Sequence, residues 1–558
     1  MPLYRMKPHA LLIVAAMALS GLARAQEPSA AGANSRIGIR LKGGQAEFFN
    51  RGTGERFTVR GNNYIRLAPL RKADGTTIPY HSTFNTGLYD PKEVSRNLAA
   101  MSADGYNVVR VFLNYCCEGG LGSAGSPLSK PYMDNVADFL RRAQAASVRV
   151  MFTIDWIPIP RRERQDASMW CPDFQCTSVH VLTQEGVRAN QEFFAQFIRE
   201  LVTREAPLEA ILAYELRNEL TFETFLPPLS LASGSVRAAN GRLYDLSKRA
   251  EKIRMLDEGL VYWINRVRSA ILGADPQALV TVGFVPPKDA ETVWSGKSNA
   301  SIVGRVMRDS NLDFVDVHVY PEGSEFRIDA MIKDFGLEGF GSKPIVLGEF
   351  GALTAAFPSA RAAARTMPEI VSQSCRLGVD GWIFWAWDTN PYADVFSALD
   401  ADGIVNRALA PNDLPDPCAS GPGRAGRLNL AWNATFRASR SYEELVPAHA
   451  ADAFMTPWNS GGEAPQWIEI DLGRAERVRE IRLVVSQTPE GLTRHQIWVG
   501  QDTASYRLQM EIARRTRDRQ VLAVPVTDPT PVRFIKVVTV SSPSWVGWRE
   551  IEIVGDPQ

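Results

Sequence analysis

Eight short apolar runs recur between residues 59 and 387, and most of them precede a longer segment with helical periodicity. Continuous apolar runs of roughly four to eight residues are typical of strands buried on both faces of a parallel sheet. The runs lie at 59–65, 108–113, 148–154, 210–216, 278–284, 314–319, 345–348 and 381–387. A strand followed by a helix, eight times over, predicts an α/β fold of the (β/α)8 TIM-barrel type across residues 37–410.

The helix-like segments between these runs lie at 91–103, 131–145, 183–204, 246–272 and 359–377. In a (β/α)8 barrel, the loops at the carboxyl ends of the strands build the active site. Two of these loops, at 67–90 and 220–245, are long. We therefore expect them to decide whether the site is a closed pocket or an open cleft.

Beyond the barrel the sequence changes character. Residues 411–427 are rich in Pro, Gly and Asp and have no apolar periodicity, which predicts a linker. Residues 428–558 hold short β-rich segments separated by turn residues, at 466–472, 478–485, 496–500, 520–526, 532–540 and 550–554. This pattern predicts a second, all-β domain of the sandwich or jelly-roll type.

Residues 1–25 have the features of a cleavable export signal. Arg5 and Lys7 precede an apolar stretch at 10–22, and the small residues Ala23 and Ala25 precede the predicted cleavage site. An apolar stretch of about 13 residues is too short to span a bilayer. We therefore expect a secreted or periplasmic protein without a membrane anchor.

The charge of the chain is balanced. It contains 62 basic and 62 acidic residues, and removal of residues 1–25 leaves 59 basic residues against 62 acidic ones. A nucleic-acid ligand requires a basic excess or a basic patch, and neither is present in the sequence. We expect a monomer with an uncharged ligand and no nucleic-acid partner.

Export makes the six cysteines candidates for disulfides, because they would meet an oxidising compartment. Our preferred pairing joins Cys375 to Cys418, with one or two bridges between the loop at 116–117 and the loop at 171–176. Six cysteines allow 15 complete pairings, so the connectivity stays open.

Two glutamates follow the fourth and the seventh predicted strands. Glu219 closes the segment Arg217-Asn218-Glu219, and Glu349 lies in Gly348-Glu349-Phe350-Gly351. Both should project into the same mouth of the barrel. Glycoside cleavage requires such a pair, one carboxylic acid to protonate the leaving oxygen and one carboxylate to attack the anomeric carbon, and carboxyls about 5 Å apart give retention.

Other strand ends offer supporting groups. Arg110 in the second strand would be a buried charge, so it needs a carboxylate partner, and a catalytic glutamate is the natural one. Asn218 could bond a sugar hydroxyl. His318 and Tyr320 alternate along the sixth strand and share a face, from which they could bond the glutamates.

Tryptophans are frequent near the same strand ends. Indole rings stack on the C–H faces of sugars, so tryptophans at the floor of a cleft suit a saccharide site. The candidates are Trp156, Trp170, Trp294, Trp385 and Trp387, and Trp385 is the one that we assign to the substrate.

The pattern of these residues resembles clan A glycoside hydrolases, most closely family 5, the cellulase family. The residues that carry the resemblance are Arg110, Asn218, Glu219, His318, Tyr320, Glu349 and Trp385. The resemblance implies a (β/α)8 barrel over residues 37–400 and a retaining mechanism, with Glu219 as acid/base, Glu349 as nucleophile and no cofactor for catalysis. The third strand departs from the family, because 153–156 stands where a histidine is often found.

The tail resembles a discoidin domain, the coagulation factor 5/8 type C fold, of which family 32 carbohydrate-binding modules are secreted bacterial examples. The matching segments are 429–431, 452–458, 465–473 and 550–555. The resemblance implies a glycan-binding module, with Trp545 as a candidate platform for the ligand. It also implies a structural calcium held by Asp452, Thr456 and Glu550, although Ala453 stands where a glycine is usual.

The sequence therefore favours a secreted retaining β-glycosidase that acts on a β-linked glucan or mannan. A non-catalytic lectin or adhesin, in which both domains only bind glycans, is the alternative from another functional class. A transglycosidase, which passes the sugar to another saccharide, would use the same residues.

Overall fold

The computed structural model describes thirteen segments of the chain. They are residues 35–65, 69–71, 77–79, 81–114, 119–122, 127–154, 180–225, 227–287, 299–300, 304–323, 325–387, 394–418 and 429–555. Several features predicted above lie outside them, namely the export signal, Cys116, Cys117, Cys171, Cys176, Trp156, Trp170 and Trp294. No helix in the described part of the chain is long and apolar enough to cross a membrane.

The described residues before residue 400 form eighteen strands. In chain order they are β1 (Ile37–Lys42), β2 (Gln45–Asn50), β3 (Val59–Asn63), β4 (Pro69–Arg71), β5 (Thr77–Pro79), β6 (Val108–Phe112), β7 (Arg149–Thr153), β8 (Ile211–Glu215), β9 (Phe222–Glu223), β10 (Ser235–Arg237), β11 (Leu243–Asp245), β12 (Val280–Thr281), β13 (Gly283–Phe284), β14 (Asn299–Ala300), β15 (Val315–Val319), β16 (Ile345–Leu353), β17 (Gly381–Trp385) and β18 (Val395–Phe396).

Nine of these strands form one parallel sheet that closes into a barrel. Its order is β12-β8-β7-β6-β3-β17-β16-β15-β13. The two ends of this order, β12 and β13, are separated in the chain by Val282 alone, so together they form the fifth strand of an eight-stranded barrel. The predicted TIM barrel is confirmed, and each of the eight predicted runs overlaps a barrel strand.

Helices alternate with the barrel strands, as a parallel sheet requires. They are α1 (Pro91–Ala103), α2 (Lys130–Ala145), α3 (Gln184–Thr203), α4 (Arg249–Ala274), α5 (Gly304–Asp309), α6 (Ile328–Asp334), α7 (Ala360–Arg376) and α8 (Asp400–Leu409). Asp90 explains why α1 begins where it does, since its side chain accepts hydrogen bonds from the backbone N–H groups of Lys92 and Glu93. Ser359 caps α7 in the same way, through the N–H of Ala362.

The hairpin of β1 and β2 lies at the amino-terminal end of the barrel. Its residues Ile37 and Phe48 pack with Val59, Val108 and Val346 of the barrel strands into one buried cluster. This cluster fills the barrel below the strand ends that carry the candidate site, so the interior is a packed core and not a pore.

The tail forms two antiparallel sheets. Its strands are β19 (Thr435–Ala438), β20 (Trp458–Asn459), β21 (Gln466–Glu476), β22 (Val478–Ser486), β23 (Gly491–Gly500), β24 (Arg507–Thr516), β25 (Val521–Pro525), β26 (Val532–Ser541) and β27 (Gly547–Gly555). The sheet orders are β19-β21-β26-β23-β24 and β20-β27-β22-β25. Apolar side chains from both sheets form a core of their own, which confirms the predicted all-β architecture.

A disulfide and several polar contacts fix the chain between the two folds. Cys375 and Cys418 are bonded, as predicted, with their Cα atoms 5.1 Å apart. The first part of the predicted linker lies against the barrel, where the Arg60 guanidinium donates to the carbonyl groups of Leu414 and Pro415. The remainder of the predicted linker, 419–427, lies outside the described residues.

The tail contacts the barrel next to the segment that follows β16. The backbone N–H of Met455 donates to the carbonyl of Ala356 at 2.9 Å, and the rings of Phe357 and Phe454 are 5.4 Å apart. The Ser359 hydroxyl donates to the Glu552 carboxylate. Because β16 carries Glu349, the tail is anchored beside the carboxyl end of the barrel.

Candidate active site

Glu349 lies in the interior of the barrel mouth because the backbone bulges just before it. The pairing of β15 with β16 shifts between Val317 and His318, which brings His318 opposite Glu349 and leaves Gly348 as the extra residue. A bulge re-aims the side chain that follows it. The carboxylate of Glu349 is only 4% exposed.

Two donors hold the Glu349 carboxylate. Arg110 Nη1 donates to Oε1 at 2.6 Å, and the Tyr320 hydroxyl donates to Oε2 at 2.6 Å. Burial raises the pKa of Glu349, whereas the charges of His318 and Arg110 lower it. Burial and the Glu349 charge raise the pKa of Tyr320 well above its ordinary value, so its hydroxyl stays protonated and can donate to the Glu349 carboxylate.

Arg110 is fully buried at the centre of the site. Its Nε and Nη2 bond both carboxylate oxygens of Glu215, at 2.7 and 2.8 Å. Nη2 also donates to Asn218 Oδ1 at 2.7 Å, and Nη1 to Asn63 Oδ1 at 2.8 Å. A guanidinium with this many acceptors is a rigid scaffold for the carboxylates around it.

Glu215 and Asn63 are site residues that the sequence did not reveal. Arg110 was expected to pair with a catalytic glutamate, and it does bond Glu349. Its bidentate partner, however, is Glu215. Both missed residues lie within barrel strands and are buried. A polar residue inside an apolar run of a fully buried strand is the signal that could have identified them.

Glu219 differs from Glu349 in its exposure. It follows β8 with φ at +45°, a left-handed conformation that is rare for a non-glycine residue and often found at functional sites. Its side chain is 40% exposed, and Oε1 lies 3.2 Å from Nδ1 of His318. Carboxylate oxygens of Glu219 and Glu349 and a ring nitrogen of His318 all lie within 4.8 Å of one another.

Six of the seven predicted site residues thus contact one another, either directly or through Arg110. The seventh, Trp385, reaches the cluster through Phe112. The Arg110 guanidinium lies over the Phe112 ring at 4.9 Å, and the Trp385 ring meets the same ring edge-on at 5.8 Å. His81 stacks on Phe112 with 3.8 Å between ring centres and meets Trp385 edge-on at 6.1 Å. These rings form an aromatic wall beside the carboxylates.

Trp387, the neighbour of Trp385 on the same strand end, has a different position. It is 1% exposed and packs edge-on against Tyr106 within the hydrophobic core. Trp385 is partly exposed and lies beside the carboxylates, so it is the one of the two that can meet a ligand.

Two groups of acidic and histidine side chains in the described part of the chain have the spacing of metal ligands. One is Glu219, His318 and Glu349, and the other is Glu215, Asp316 and His318. Arg110 binds a carboxylate of each group directly. A cation at either position would have to displace that guanidinium, so the donor sets suit acid–base and nucleophilic chemistry better than metal binding.

In the tail, Trp545 and Tyr442 form an exposed aromatic pair. Their side chains are 47% and 40% exposed, and their ring centres are 5.3 Å apart. Trp545 lies between β26 and β27 and is exposed, unlike Trp458 and Trp548, which are buried. The pair is an apolar surface on which a sugar ring could stack.

The calcium site expected from the sequence stays a prediction, and the hydrogen bonds around Glu550 do not favour it. Its Oε1 accepts from Asn429 Nδ2 and Trp432 Nε1 at 3.3 and 3.1 Å, and its Oε2 accepts from the N–H of Ala453 at 3.2 Å. Calcium requires a cage of oxygen atoms, whereas N–H groups face Glu550 here. Glu550, as it is bonded here, does not fit the role of a calcium ligand.

Residues 434–552 match the family model described as F5/8 type C domain, which confirms the discoidin-like resemblance of the tail. A comparison of the chain with curated proteins gave no match.

Among solved structures, the chain is similar to the exo-β-1,4-mannosidase Op5Man5 from Opitutaceae bacterium strain TAV5, with 16% identity and a TM-score of 0.44. That match covers 67% of this chain and 63% of the mannosidase, less than two thirds of its length. The endo-β-1,4-mannanase from Thermotoga petrophila is similar with 13% identity, a TM-score of 0.45 and coverage of 90% of this chain and 98% of that one.

The tail is similar to the family 32 carbohydrate-binding module of NanJ from Clostridium perfringens, whose structure contains galactose. The identity is 19%, the TM-score is 0.20, and the match covers 22% of this chain and 96% of that one. At such low identities, the activity of this chain has to be argued from its own site.

Proposed function

We propose that the protein is a secreted retaining glycosidase that cleaves a β-linked oligosaccharide or polysaccharide of glucan or mannan type. The observation that carries the proposal is the approach of Glu219 and Glu349, whose oxygens come within 4.8 Å of each other at the mouth of the barrel. Carboxyl groups about 5 Å apart leave no room for a water molecule behind the sugar, so the second carboxylate itself attacks.

In the first step, Glu349 attacks the anomeric carbon and forms a glycosyl ester, while Glu219 gives its proton to the leaving oxygen. In the second step, Glu219 takes a proton from water, which attacks the anomeric carbon and frees Glu349. Arg110 and Tyr320 support both steps, because they bond the two oxygens of Glu349 and favour its charged form.

The exposures of the two glutamates suit these roles. Glu349 is 4% exposed and fixed by two donors, as a nucleophile that must meet one atom requires. Glu219 is 40% exposed, so it can exchange protons with the leaving group and with water. Trp385, which packs edge-on against the buried Phe112, supplies an apolar surface for the face of the sugar.

We also propose that the tail is a carbohydrate-binding module that holds the enzyme on its polymer. Its exposed Trp545 and Tyr442 offer the stacking surface. Export of the protein would bring both folds to such a polymer, which is too large to enter the cell.

The test is the separate removal of the two carboxylates. With 2,4-dinitrophenyl β-cellobioside and β-mannobioside as substrates, we expect Glu349→Ala to lose about 10³-fold or more in kcat/KM. Glu219→Gln should lose about 10² to 10⁴-fold on polysaccharide, whose poor leaving group needs the acid, and much less in the glycosylation step of the activated substrates.

Azide tells the two roles apart. Azide added to Glu349→Ala should yield the α-glycosyl azide, and azide added to Glu219→Ala should yield the β-glycosyl azide. Glu47→Gln is the matched control, because Glu47 is also a mostly buried glutamate paired with an arginine, Arg40, but lies at the opposite end of the barrel. Glycan binding by the wild type without any turnover would replace the proposal with the lectin alternative.

A further inference from the structure

Asp316 lies beneath the proposed catalytic pair, two residues before His318 on β15. Residues two apart on a strand share a face, and both side chains are buried. Asp316 Oδ1 is 3.8 Å from His318 Nε2. On the other side of the ring, Nδ1 lies 3.2 Å from Glu219 and 3.5 Å from Glu349. The imidazole therefore joins a buried carboxyl group to both glutamates.

Two glycines make room for this arrangement. A Cβ atom at Gly348 would overlap the Asp316 carboxylate. A Cβ atom at Gly283 would lie 2.5 Å from Glu215 Oε1 and 3.0 Å from His318 Nε2. Any larger residue at either position would displace the carboxylates or the ring, so the packing of the strand ends depends on the place that Asp316 occupies.

Within the described part of the chain, Asp316 has no direct ion pair with an arginine or lysine, although the charge of Arg110 acts to lower its pKa. Arg110 on β6 bonds Glu215 on β8 and Glu349 on β16 directly, but not Asp316. Neither oxygen of Asp316 completes a hydrogen bond within the described part of the chain, although the Gly348 N–H is near enough to favour its charged form. Burial and the charge of Glu215 raise the pKa of Asp316 well above its ordinary value.

We propose, on the basis of the glycosidase function proposed above, that Asp316 is a positioning residue that shares one proton with His318. When the proton is on Asp316, the imidazole is neutral and keeps its hydrogen on Nδ1. When the proton moves to Nε2, Asp316 becomes a carboxylate and the ring becomes an imidazolium, again with hydrogen on Nδ1. Asp316 Oδ1 and His318 Nε2 are 3.8 Å apart, and an approach by about 0.8 Å would give an ordinary hydrogen bond between them.

This shared proton has a use in both steps of the reaction. Before the first step, Glu349 carries the negative charge, and after it Glu219 does. The Nδ1–H group lies within reach of both, so one donor can serve each carboxylate in turn. A carboxylate near Nδ1 stabilises the imidazolium form of the ring, and Asp316 supplies the proton that forms it.

The test is the pH profile of kcat/KM for Asp316→Asn. An amide cannot pass a proton to Nε2 or balance an imidazolium, so both glutamates lose nearby positive charge and hold their own protons more tightly. We expect the acid limb and the alkaline limb to move together to higher pH by about 1 unit. Asp275→Asn is the matched control, because Asp275 is a buried carboxylate bonded to Arg36 at 2.6 Å and outside the site, and its profile should not move.

A lower rate with both limbs unmoved would show that Asp316 is only structural and would overturn the proposal. ¹⁵N NMR of histidine-labelled wild type, assigned with His318→Gln, tests it even if Asp316→Asn does not fold. We expect Nδ1 of His318 to stay protonated between about pH 5 and 8. A neutral ring with hydrogen on Nε2 alone would contradict the proposal. The NMR experiment needs no substrate, so a protein that hydrolyses no glycoside would disprove the proposed function without deciding this one.

Discussion

Two groups of buried carboxylates, one at the barrel mouth and one in the tail, are held in different ways. At the barrel mouth, Arg110 bonds Glu215 and Glu349 directly, and its charge opposes the rise that burial causes in the pKa of Glu349. In the tail, the donors that Glu550 meets among the described residues are all neutral N–H groups. Burial and the charge of Glu552 raise the pKa of Glu550 well above its ordinary value.

The difference separates carboxylates that do chemistry from carboxylates that hold a fold together. Burying a charge costs free energy unless a partner of opposite charge compensates it. A site whose reaction needs a charged carboxylate therefore needs such a partner. The barrel provides that partner, a guanidinium with no exposure to solvent. The tail uses Glu550 to join the backbone at Ala453 to the side chains of Asn429 and Trp432, for which no charge is needed.

The largest effect should come from removing the cation at the barrel mouth. In Arg110→Met, Glu215 and Glu349 would be buried without a partner, so we expect a loss of about 3 to 5 kcal/mol of unfolding free energy together with most of the activity. Urea unfolding and kcat/KM measure the two effects. Arg36→Met, which breaks the pair with Asp275 away from the site, should lose stability but keep its kcat/KM. An active Arg110→Met variant would contradict the assigned role of Arg110.

The barrel and the tail also show what could and could not be predicted from the sequence. Glu219 and Glu349 were predictable because each follows an apolar run in a chain whose strand–helix order fixes where strand ends meet. The seventh strand was predicted to end at 348, because a glycine followed by a charged residue indicates the end of an apolar run. In the structure, β16 continues through a bulge to Leu353. Bulges depend on the neighbouring strand and leave no local signal in the sequence.

In the tail, β24 was not predicted, although β23 and β26 were. Its sequence, RLQMEIARRT, is rich in charged residues, and most of its side chains are exposed or half-buried. It pairs only with β23 at the edge of its sheet. Edge strands carry charge that protects them from pairing with other chains, so a search for apolar runs passes over them.

An intermediate effect should come from Glu550→Gln. Glutamine has nearly the same shape, but its NH2 group would face an N–H donor of Ala453, Asn429 or Trp432 and leave it unpaired. We expect the tail to lose about 1 to 3 kcal/mol, with no change in turnover of a soluble substrate. Calorimetry of the whole protein measures this, and the exposed Glu444→Gln serves as the control in the same fold. An unchanged unfolding temperature would mean that these hydrogen bonds do not hold the tail together.

The smallest effect should be a dependence of the stability of the tail on pH. Burial raises the pKa of Asp452 to about 6 and also raises the pKa of Glu550. The folded state therefore binds protons more readily than the unfolded chain. Its extra stability is present at low pH and is lost as the pH rises through about 6. Because Asp452 is partly exposed, we expect the tail to gain only about 1 to 2 kcal/mol between pH 8 and pH 5.

The effect of calcium on this pH dependence tests whether the tail binds a metal ion or is held by the hydrogen bonds of Glu550 alone. A calcium ion binds ionised carboxylates, so a bound ion would raise the unfolding temperature most at pH 8 and would reverse the dependence on pH. The N–H groups around Glu550 lead us to expect no change between 5 mM calcium and excess chelator at either pH. A calcium-dependent rise at pH 8 that disappears in Asp452→Asn would instead support a metal site at Asp452, with the hydrogen bonds of Glu550 rearranged around the ion.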